Sequence, residues 1–321
     1  QAEDGIRDSV ASRGLGDVYK RQLPSNTALT VGPKIKYCLI RSFNQYTGMK
    51  AGYIVAEDLI SKQFSNVYYE SDNLQDLVEY EFNAKKIPFI KIKSFLGKEL
   101  ENVKYEQLID YATPYENPTN AFRIILGDFV TTTDGTGIVH TAPTFGADDY
   151  KAAKSATPEV PPLQVLDSNG NKIPLVDLKG KFIEGIGMIS GKYVKNEYYA
   201  EEDIPKKSVD VEIAIRLKEK NLAFKVEKYS HSYPHCWRTD KPVLYYPMES
   251  WFIKVSDLTE RMYNLNKNIN WKPSSTGEGR FGNWLKSAND WNLSRSRFWG
   301  CLLYTSPSPR DATLSRMPSS A

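Results

Sequence analysis

The stretch that decides the fold is residues 135–150, GTGIVHTAPTFGADDY. Gly135 and Gly137 permit tight backbone geometry or the close approach of a ligand. The apolar residues after them predict a buried strand that ends at His140. After a break, Gly146 leads into a helix whose first turn is acidic, where carboxylates suit the helix dipole. The pattern predicts an imidazole and a carboxylate at the same edge of the fold.

Two side chains of this stretch are candidates for chemistry, and each also has a structural interpretation. His140, at a strand end, fits a core or capping histidine as well as a pocket residue. Asp149, like Asp148 beside it, fits a charge that stabilises a helix N-terminus. Residue type and position alone favour the structural role for both His140 and Asp149.

The chain between residues 23 and 300 is β-rich. Strands are predicted where β-branched and aromatic residues concentrate, at residues 34–43, 86–95, 122–130 and 243–255. Helices are predicted at residues 56–64, 146–155 and 256–268, and a hairpin turn at 167–171 (DSNGN). Residues 208–221 alternate like a strand, but their Lys and Glu content and the Glu212–Arg216 spacing favour a helix. These elements predict a β-rich α/β domain connected to something else.

Composition excludes several classes of protein. The chain has 321 residues, which suggests about two domains. Its 42 Lys and Arg residues against 39 Asp and Glu argue against a polybasic nucleic-acid binder. Three Cys residues cannot build a disulfide framework and fit a reducing compartment. Since no apolar run approaches the ~18 residues of a membrane helix, we expect a cytoplasmic protein with no membrane contact.

The two ends differ from the middle. Residues 1–22 show no hydrophobic period, and residues 301–321 are rich in Ser and Pro. Both are predicted to be non-native or disordered termini of the kind that vector read-through produces, with natural flexible termini as the alternative. The chain also opens without Met, and we expect a fragment of a longer protein.

Two further motifs invite a cofactor or a metal. GEGRFG at residues 277–282 matches a dinucleotide fingerprint, but no buried strand precedes it, so a loop is predicted and a nicotinamide-dependent oxidoreductase is the weakest hypothesis. His231, His235 and Cys236 lie within HSYPHCWRTDKP. Thr239 stands where a second zinc-binding thiolate would be needed, so no metal site is predicted and zinc is doubtful.

Residues 135–150 resemble the editing-domain signature of the isoleucyl-tRNA synthetases, a family of class I aminoacyl-tRNA synthetases. The resemblance continues in LPSNTALTV (residues 23–31), PLVDLKGKF, GKYVKNEYY, HSYPHCWRTDKPVLYYPMESWFIKVS and NWLKSANDWNLSRSRFWG, and so covers residues 23–300. His140 is typical of the isoleucyl branch, since valyl enzymes carry Lys and leucyl enzymes Met there. The resemblance implies a β-rich, barrel-like α/β editing domain over residues 23–230. Residues 231–300 would return to a Rossmann-type catalytic domain.

The resemblance also implies a function. The parent enzyme would attach isoleucine to its tRNA with ATP and Mg, and this segment would hydrolyse tRNA mischarged with valine without any cofactor. These enzymes are the standard example of why a second step is needed, because one methylene gives a pocket only about 1–3 kcal/mol of discrimination. The implied partners are isoleucine tRNA, valine and isoleucine, and a monomer is expected.

By the same resemblance, Asp149 would pair with the α-ammonium group of the mischarged amino acid. His140 would line the pocket and restrict side-chain size. The residues implied to shape the rim or bind substrate are Asn26, Gly135, Thr136, Gly137 and Asp148. Arg295 and Arg297 are predicted contacts to phosphate or tRNA, with solvated surface Arg as the alternative.

The chain departs from the family pattern in two places. Family members carry a Thr-rich strand before the LPSN segment, where this chain has DVYKRQ at residues 17–22. The ATP-handling motifs HIGH and KMSKS are absent. We therefore expect weak or no editing and no aminoacyl-adenylate synthesis by the chain alone. A tRNA-binding module without catalysis is the alternative.

Overall fold

A computed structural model describes residues 23–82, 84–133, 135–226, 234–244 and 246–294. The chain divides into two compact units, Gln1–Pro247 and Met248–Ala321. The predicted terminal segments 1–22 and 301–321 lie outside the described residues. No helix among the described residues is long and apolar enough to cross a membrane.

A three-stranded sheet forms the part of the first unit that carries the 135–150 stretch. Its central strand β1 (Ala28–Val31) pairs in parallel with a strand at Arg123–Leu126 and antiparallel with one at Ile138–Thr141. Leu29 lies opposite His140 in this register. β1 is buried at all four residues, which explains its continuous apolar and small sequence.

A four-stranded sheet forms the larger layer of the same unit. In chain order its strands are β2 (Lys36–Phe43), β3 (Lys50–Ala56), β4 (Tyr68–Glu70) and β5 (Ile87–Leu96), and their spatial order is β3-β2-β5-β4. The short helices α1 (Ile60–Gln63) and α2 (Leu74–Glu79) connect them. The buried rings of Tyr53, Phe64 and Phe224 pack at centroid distances of 4.6–5.7 Å within the core of this sheet.

The remaining elements of the first unit are β6 (Arg123–Leu126), β7 (Ile138–Thr141), α3 (Ala147–Ser155), the hairpin strands β8 (Gln164–Leu166) and β9 (Lys172–Pro174), and α4 (Val209–Glu219). Ala152 and Ala153 of α3 pack with Ala28 of β1 and Ile125 of β6. A separate, second core is built by α4 and by the chain segments that flank β8 and β9. Val209, Ile213 and Leu217 of α4 are buried in that core at a spacing of four residues. This spacing confirms the helix predicted at residues 208–221. The alternating apolar residues there resemble a strand, but Val209, Ile213 and Leu217 are buried with the period of a helix.

The second unit is small. An antiparallel pair, β10 (Phe252–Ile253) and β11 (Trp291–Asn292), brackets α5 (Thr259–Asn266) and α6 (Gly282–Lys286) along the chain. Between the two helices, a π-helix spans Thr276–Phe281. No parallel strand pair occurs among residues 248–294 that the structure describes, so a Rossmann-type catalytic domain stays a prediction.

Three expectations are corrected. The described sheets do not close into a barrel. The strand predicted at 243–255 shrinks to Phe252–Ile253, because Pro247 lacks a donor and the apolar side chains before it find no partner strand among the described residues. GEGRFG is helical and not a loop. Its first glycine packs so closely on Trp271 that a Cβ on Gly277 would lie 2.1 Å from Cδ1 of the indole, so packing explains that glycine without a dinucleotide.

Candidate functional site

Asn26 ties the start of β1 to the end of β7. Its side chain is buried, and Nδ2 donates to the carbonyl of Ala28 at 2.7 Å and to that of Thr141 at 3.4 Å. The hydroxyl of Tyr105 donates to Asn26 Oδ1. Because these bonds engage both ends of the amide, Asn26 fixes the backbone at Thr141 rather than presenting a free side chain to a substrate.

His140 lies on β7 beside this tie, one residue before Thr141, and is half-buried. Burial lowers the pKa of His140 from its ordinary 6.5 to about 4, since a desolvated imidazole resists protonation. The ring is therefore neutral at pH 7. A neutral ring at this position suits a pocket wall or a hydrogen-bonding group and not a fixed positive charge.

Asp149 reaches back from α3 to the end of β7. Its Oδ2 accepts a hydrogen bond from the Ala142 N–H at 2.9 Å. The chain can fold back this tightly because Gly146 has no side chain: a Cβ there would lie 2.9 Å from the Asp149 carboxyl carbon. Burial raises the pKa of the Asp149 carboxyl, while the Ala142 hydrogen bond opposes that rise.

The structure does not bring Asp148 into the same place. Its side chain is 86% exposed and pairs with Lys151 at 3.6 Å on the solvent side of α3. The two neighbouring carboxylates therefore differ in environment, since Asp149 is half-buried. That contrast makes Asp148 a matched control for Asp149.

The turn of residues 135–137 lies at the opposite end of β7 from His140. Gly135 and Gly137 have φ values of +75° and +76°, which only glycine adopts without strain. Its three carbonyl oxygens accept hydrogen bonds from Gln63 Nε2 at 2.6 Å, Ala56 N at 2.8 Å and the Tyr37 hydroxyl at 2.6 Å. These contacts direct the turn, including Thr136, into the core beneath the four-stranded sheet.

The remaining predicted residues are not all described. Arg295, Arg297 and His231 lie outside the described residues. Cys236 lies in a tight turn, where its N–H donates to the Lys241 carbonyl at 2.8 Å. Within the described ranges, no group of three or more His, Cys, Asp or Glu side chains is arranged to hold a metal ion. The expectation about zinc stays a prediction.

Sequence reasoning missed two groups that build the site. The Tyr105 hydroxyl donates a hydrogen bond to Asn26, which lies 79 residues away along the chain, and no local sequence pattern signals that contact. The Ala142 N–H, which positions Asp149, is a backbone donor and has no residue signature. What the sequence does signal is the glycine at 146, three residues before the carboxylate.

Comparison with known proteins assigns the family. The profile of the tRNA synthetases class I (I, L, M and V) matches residues 25–306. The chain belongs to this family. An isoleucine–tRNA ligase of Cytophaga hutchinsonii is 52% identical over 288 residues, covering 87% of this chain and 25% of that protein. Isoleucine–tRNA ligases of Bacteroides fragilis (49%, 25% of that protein) and Thermoplasma volcanium (40%, 22%) also align over 87% of the chain.

The chain thus spans about a quarter of the length of the curated relatives it matches. One solved structure, described as "The crystal structure of GlLeuRS-CP1", is similar with a TM-score of 0.26 at 20% identity, covering 42% of this chain and 41% of that chain. A likeness of that size carries no conclusion about this class I synthetase segment.

Proposed function

We propose that the chain is part of an isoleucine–tRNA ligase and that the end of β7 hydrolyses valine wrongly attached to isoleucine tRNA. The relatives named above support the first part. The observation that carries the second is the placement of Asp149, which the Ala142 N–H and the absence of a side chain at Gly146 hold beside the strand end that bears His140. The half-buried Asp149 carboxylate is thus hydrogen-bonded to the backbone two residues beyond His140.

The proposed chemistry is hydrolysis by a positioned water, with no covalent intermediate. The ionised Asp149 carboxylate binds the α-ammonium group of the mischarged amino acid, and partial burial strengthens that attraction relative to water. His140, neutral at pH 7, forms part of the wall that excludes a side chain larger than valine. Rate enhancement then comes from placement of the ester, which is sensitive to displacements of about 1 Å.

Synthesis of isoleucyl-tRNA belongs to the parent enzyme. The motifs HIGH and KMSKS, through which members of this family handle ATP and Mg, are absent from the sequence. In this proposal the parent is a cytoplasmic monomer, its substrates are isoleucine, ATP and isoleucine tRNA, and the chain alone neither synthesises nor edits efficiently.

The test is a graft. Residues 25–300, which lie within the family match, would replace the corresponding segment of the intact Cytophaga hutchinsonii ligase, and Asp149→Asn would be compared with Asp148→Asn in that enzyme. Asp149→Asn keeps the side-chain size but removes the charge, so valyl-tRNA deacylation should fall about 100-fold or more. Asp148→Asn should deacylate normally, and isoleucine activation should be unchanged in both.

Two results would count against the proposal. Unchanged deacylation by the Asp149→Asn graft would remove Asp149 from the site. An unsubstituted graft that charges and binds tRNA but never deacylates valyl-tRNA would favour the alternative, a tRNA-binding module without catalysis.

A further inference from the structure

Outside the candidate site, the tip of the β8–β9 hairpin carries an Asn-Gly pair. Asn169 and Gly170 lie in the turn of residues 167–171, and both are exposed. The sequence contains no other Asn-Gly pair. An asparagine followed by glycine can react without an enzyme, because the backbone nitrogen of the second residue can attack the side-chain amide carbon of the first. Glycine favours this attack, since it has no Cβ to hinder the approach.

The reaction at this pair balances with water as the only co-reactant. The Gly170 nitrogen loses its proton and bonds to the side-chain amide carbon of Asn169, while the bond from that carbon to its own nitrogen breaks. The leaving nitrogen takes up the proton and departs as ammonia, and a cyclic succinimide remains. Water then opens the ring at either carbonyl, which leaves aspartate or isoaspartate at position 169.

The two asparagines of the turn differ in how their side chains are held. Asn171 Nδ2 donates to Asp167 Oδ2 at 3.1 Å, and the residue after Asn171 is Lys172, which has a Cβ. In the described part of the chain, the Asn169 side-chain amide makes no hydrogen bond, so its rotation towards the Gly170 nitrogen breaks no contact. Asn171 is exposed in the same turn and is therefore the matched control for Asn169.

Asp167 opposes the reaction because it holds the backbone of the turn. Its Oδ1 accepts from the N–H groups of Asn169 and Asn171, each at 2.8 Å, and its carbonyl accepts from the Gly170 N–H at 3.1 Å. Hydrogen bonds from Asn171 lower the pKa of the Asp167 carboxyl, so at neutral pH these bonds are charge-assisted. The Gly170 nitrogen must leave its acceptor before it can attack, which requires local opening of the turn.

We propose that Asn169 is a site of spontaneous deamidation in the folded chain and that Asp167 slows the reaction by holding the turn closed. Deamidation adds a negative charge close to Asp167, and the isoaspartate product also lengthens the backbone within the turn. Both changes oppose the pairing of Leu166 with Lys172 that closes the hairpin. The proposal is independent of the proposed hydrolysis, since the hairpin tip is not part of the candidate site.

The experiment incubates the folded full chain at neutral pH and follows timed digests by peptide mass spectrometry, with chromatography to separate aspartate from isoaspartate. Asn169 should convert at least several-fold faster than Asn171. Gly170→Ala should slow conversion at Asn169 several-fold, because the added Cβ hinders the attacking nitrogen. Nothing else in the fold lies within 4 Å of that Cβ, so the substitution acts on the turn alone.

Asp167→Ala tests the restraint on the turn. It removes the carboxylate that accepts three hydrogen bonds, so conversion at Asn169 should rise several-fold, towards the rate of the same chain unfolded in urea. Asp167→Asn keeps an acceptor oxygen without the charge and should give an intermediate rate. Circular dichroism of each variant checks that the first unit is still folded, so that a faster reaction reports the turn and not global unfolding.

Three results would overturn the proposal. Asn169 could stay intact in the folded chain over a period in which the urea-unfolded chain converts there, which would mean that the closed turn excludes the reaction. Equal rates for folded Asp167→Ala and the unsubstituted chain would show that Asp167 does not restrain the turn. Faster conversion at Asn171 than at Asn169 would remove the role assigned to Gly170.

Discussion

The two ends of β7 are only about 10 Å apart, yet different kinds of chemical group lie at each of them. At its start, the turn of residues 135–137 is held by hydrogen bonds to its own backbone carbonyls and by two glycines with positive φ. At its end lie the side chains of His140 and Asp149, whose pKa values are shifted in opposite directions from their ordinary values.

The contrast separates an end that is held by core hydrogen bonds from an end that carries partly exposed ionisable side chains. A substrate at the turn would have to displace core hydrogen bonds, so the contacts there support a role in fixing the register of β7. That Gly135, Thr136 and Gly137 shape the rim of a substrate pocket stays a prediction, because the contacts described for this turn are made to the core. The end at His140 has ionisable groups that are only half-buried.

The largest effect is expected from Gly137→Ala. At φ +76° an added Cβ is strained, and it would lie 2.5 Å from the Ala56 Cβ inside the core. Backbone strain and overpacking together should lower the free energy of unfolding of the first unit by about 3 kcal/mol, measured in urea by circular dichroism.

Gly170→Ala provides the matched control for that substitution. Gly170 has a similar φ of +81° in the hairpin turn between β8 and β9, but nothing lies within 4 Å of its added Cβ. It should cost only about 1 kcal/mol. Equal losses at both positions would mean that the start of β7 is not a tightly packed anchor, and the comparison between its ends would lose its basis.

A smaller loss of stability is expected when the hydroxyl group is removed from Tyr37, at the start of β7, or from Tyr105, near its end. Tyr37→Phe removes the donor to the Gly137 carbonyl at 2.6 Å and the acceptor of the Gly32 N–H at 3.0 Å, so two buried backbone groups lose a partner. The free energy of unfolding should fall by about 2 kcal/mol.

Tyr105→Phe at the other end leaves only Asn26 Oδ1 without its donor and should cost about 1 kcal/mol. Because Asn26 fixes the Thr141 backbone, this substitution should also slow deacylation in the grafted ligase, whereas Tyr37→Phe should not. The reverse pattern of activity loss would place the functional end at the turn.

How much of the fold and of the candidate site could be predicted from the sequence depends on how far apart along the chain the interacting residues lie. The strand, break and helix of residues 135–150 follow one another directly, so local glycine, apolar and acidic signals were enough to predict β7, α3 and the break between them. The strand β2 and the 167–171 hairpin were confirmed for the same reason.

Features that depend on distant partners could not be predicted. The apolar residues before Trp251 have strand propensity but no partner strand in the described part of the chain, and Trp251 itself is 83% exposed. The Tyr105–Asn26 bond and the outward position of Asp148 follow from tertiary packing and not from residue pattern. Whether strands close into a barrel likewise depends on pairings between remote segments.

The smallest effect concerns acid stability and tests only the end of β7 that carries His140 and Asp149. His140 has a pKa of about 4 when folded against 6.5 as its ordinary value, so the unfolded chain binds more protons between those pH values. Its contribution to stability is complete above pH 6.5 and is lost as the pH falls towards 4. His140→Gln should therefore flatten the decline of the free energy of unfolding over that window.

Asp149 has the opposite sign, because its folded pKa is raised above 3.8 and its folded carboxyl keeps a proton more tightly than the unfolded one. Its contribution is present at low pH and is lost as the pH rises through the raised pKa. Asp149→Asn should therefore steepen the acid decline that His140→Gln flattens, when both are followed by urea unfolding from pH 7 to pH 4. Changes of the same sign would mean that burial does not control both groups, and that the end of β7 is as solvated as the surface around Asp148.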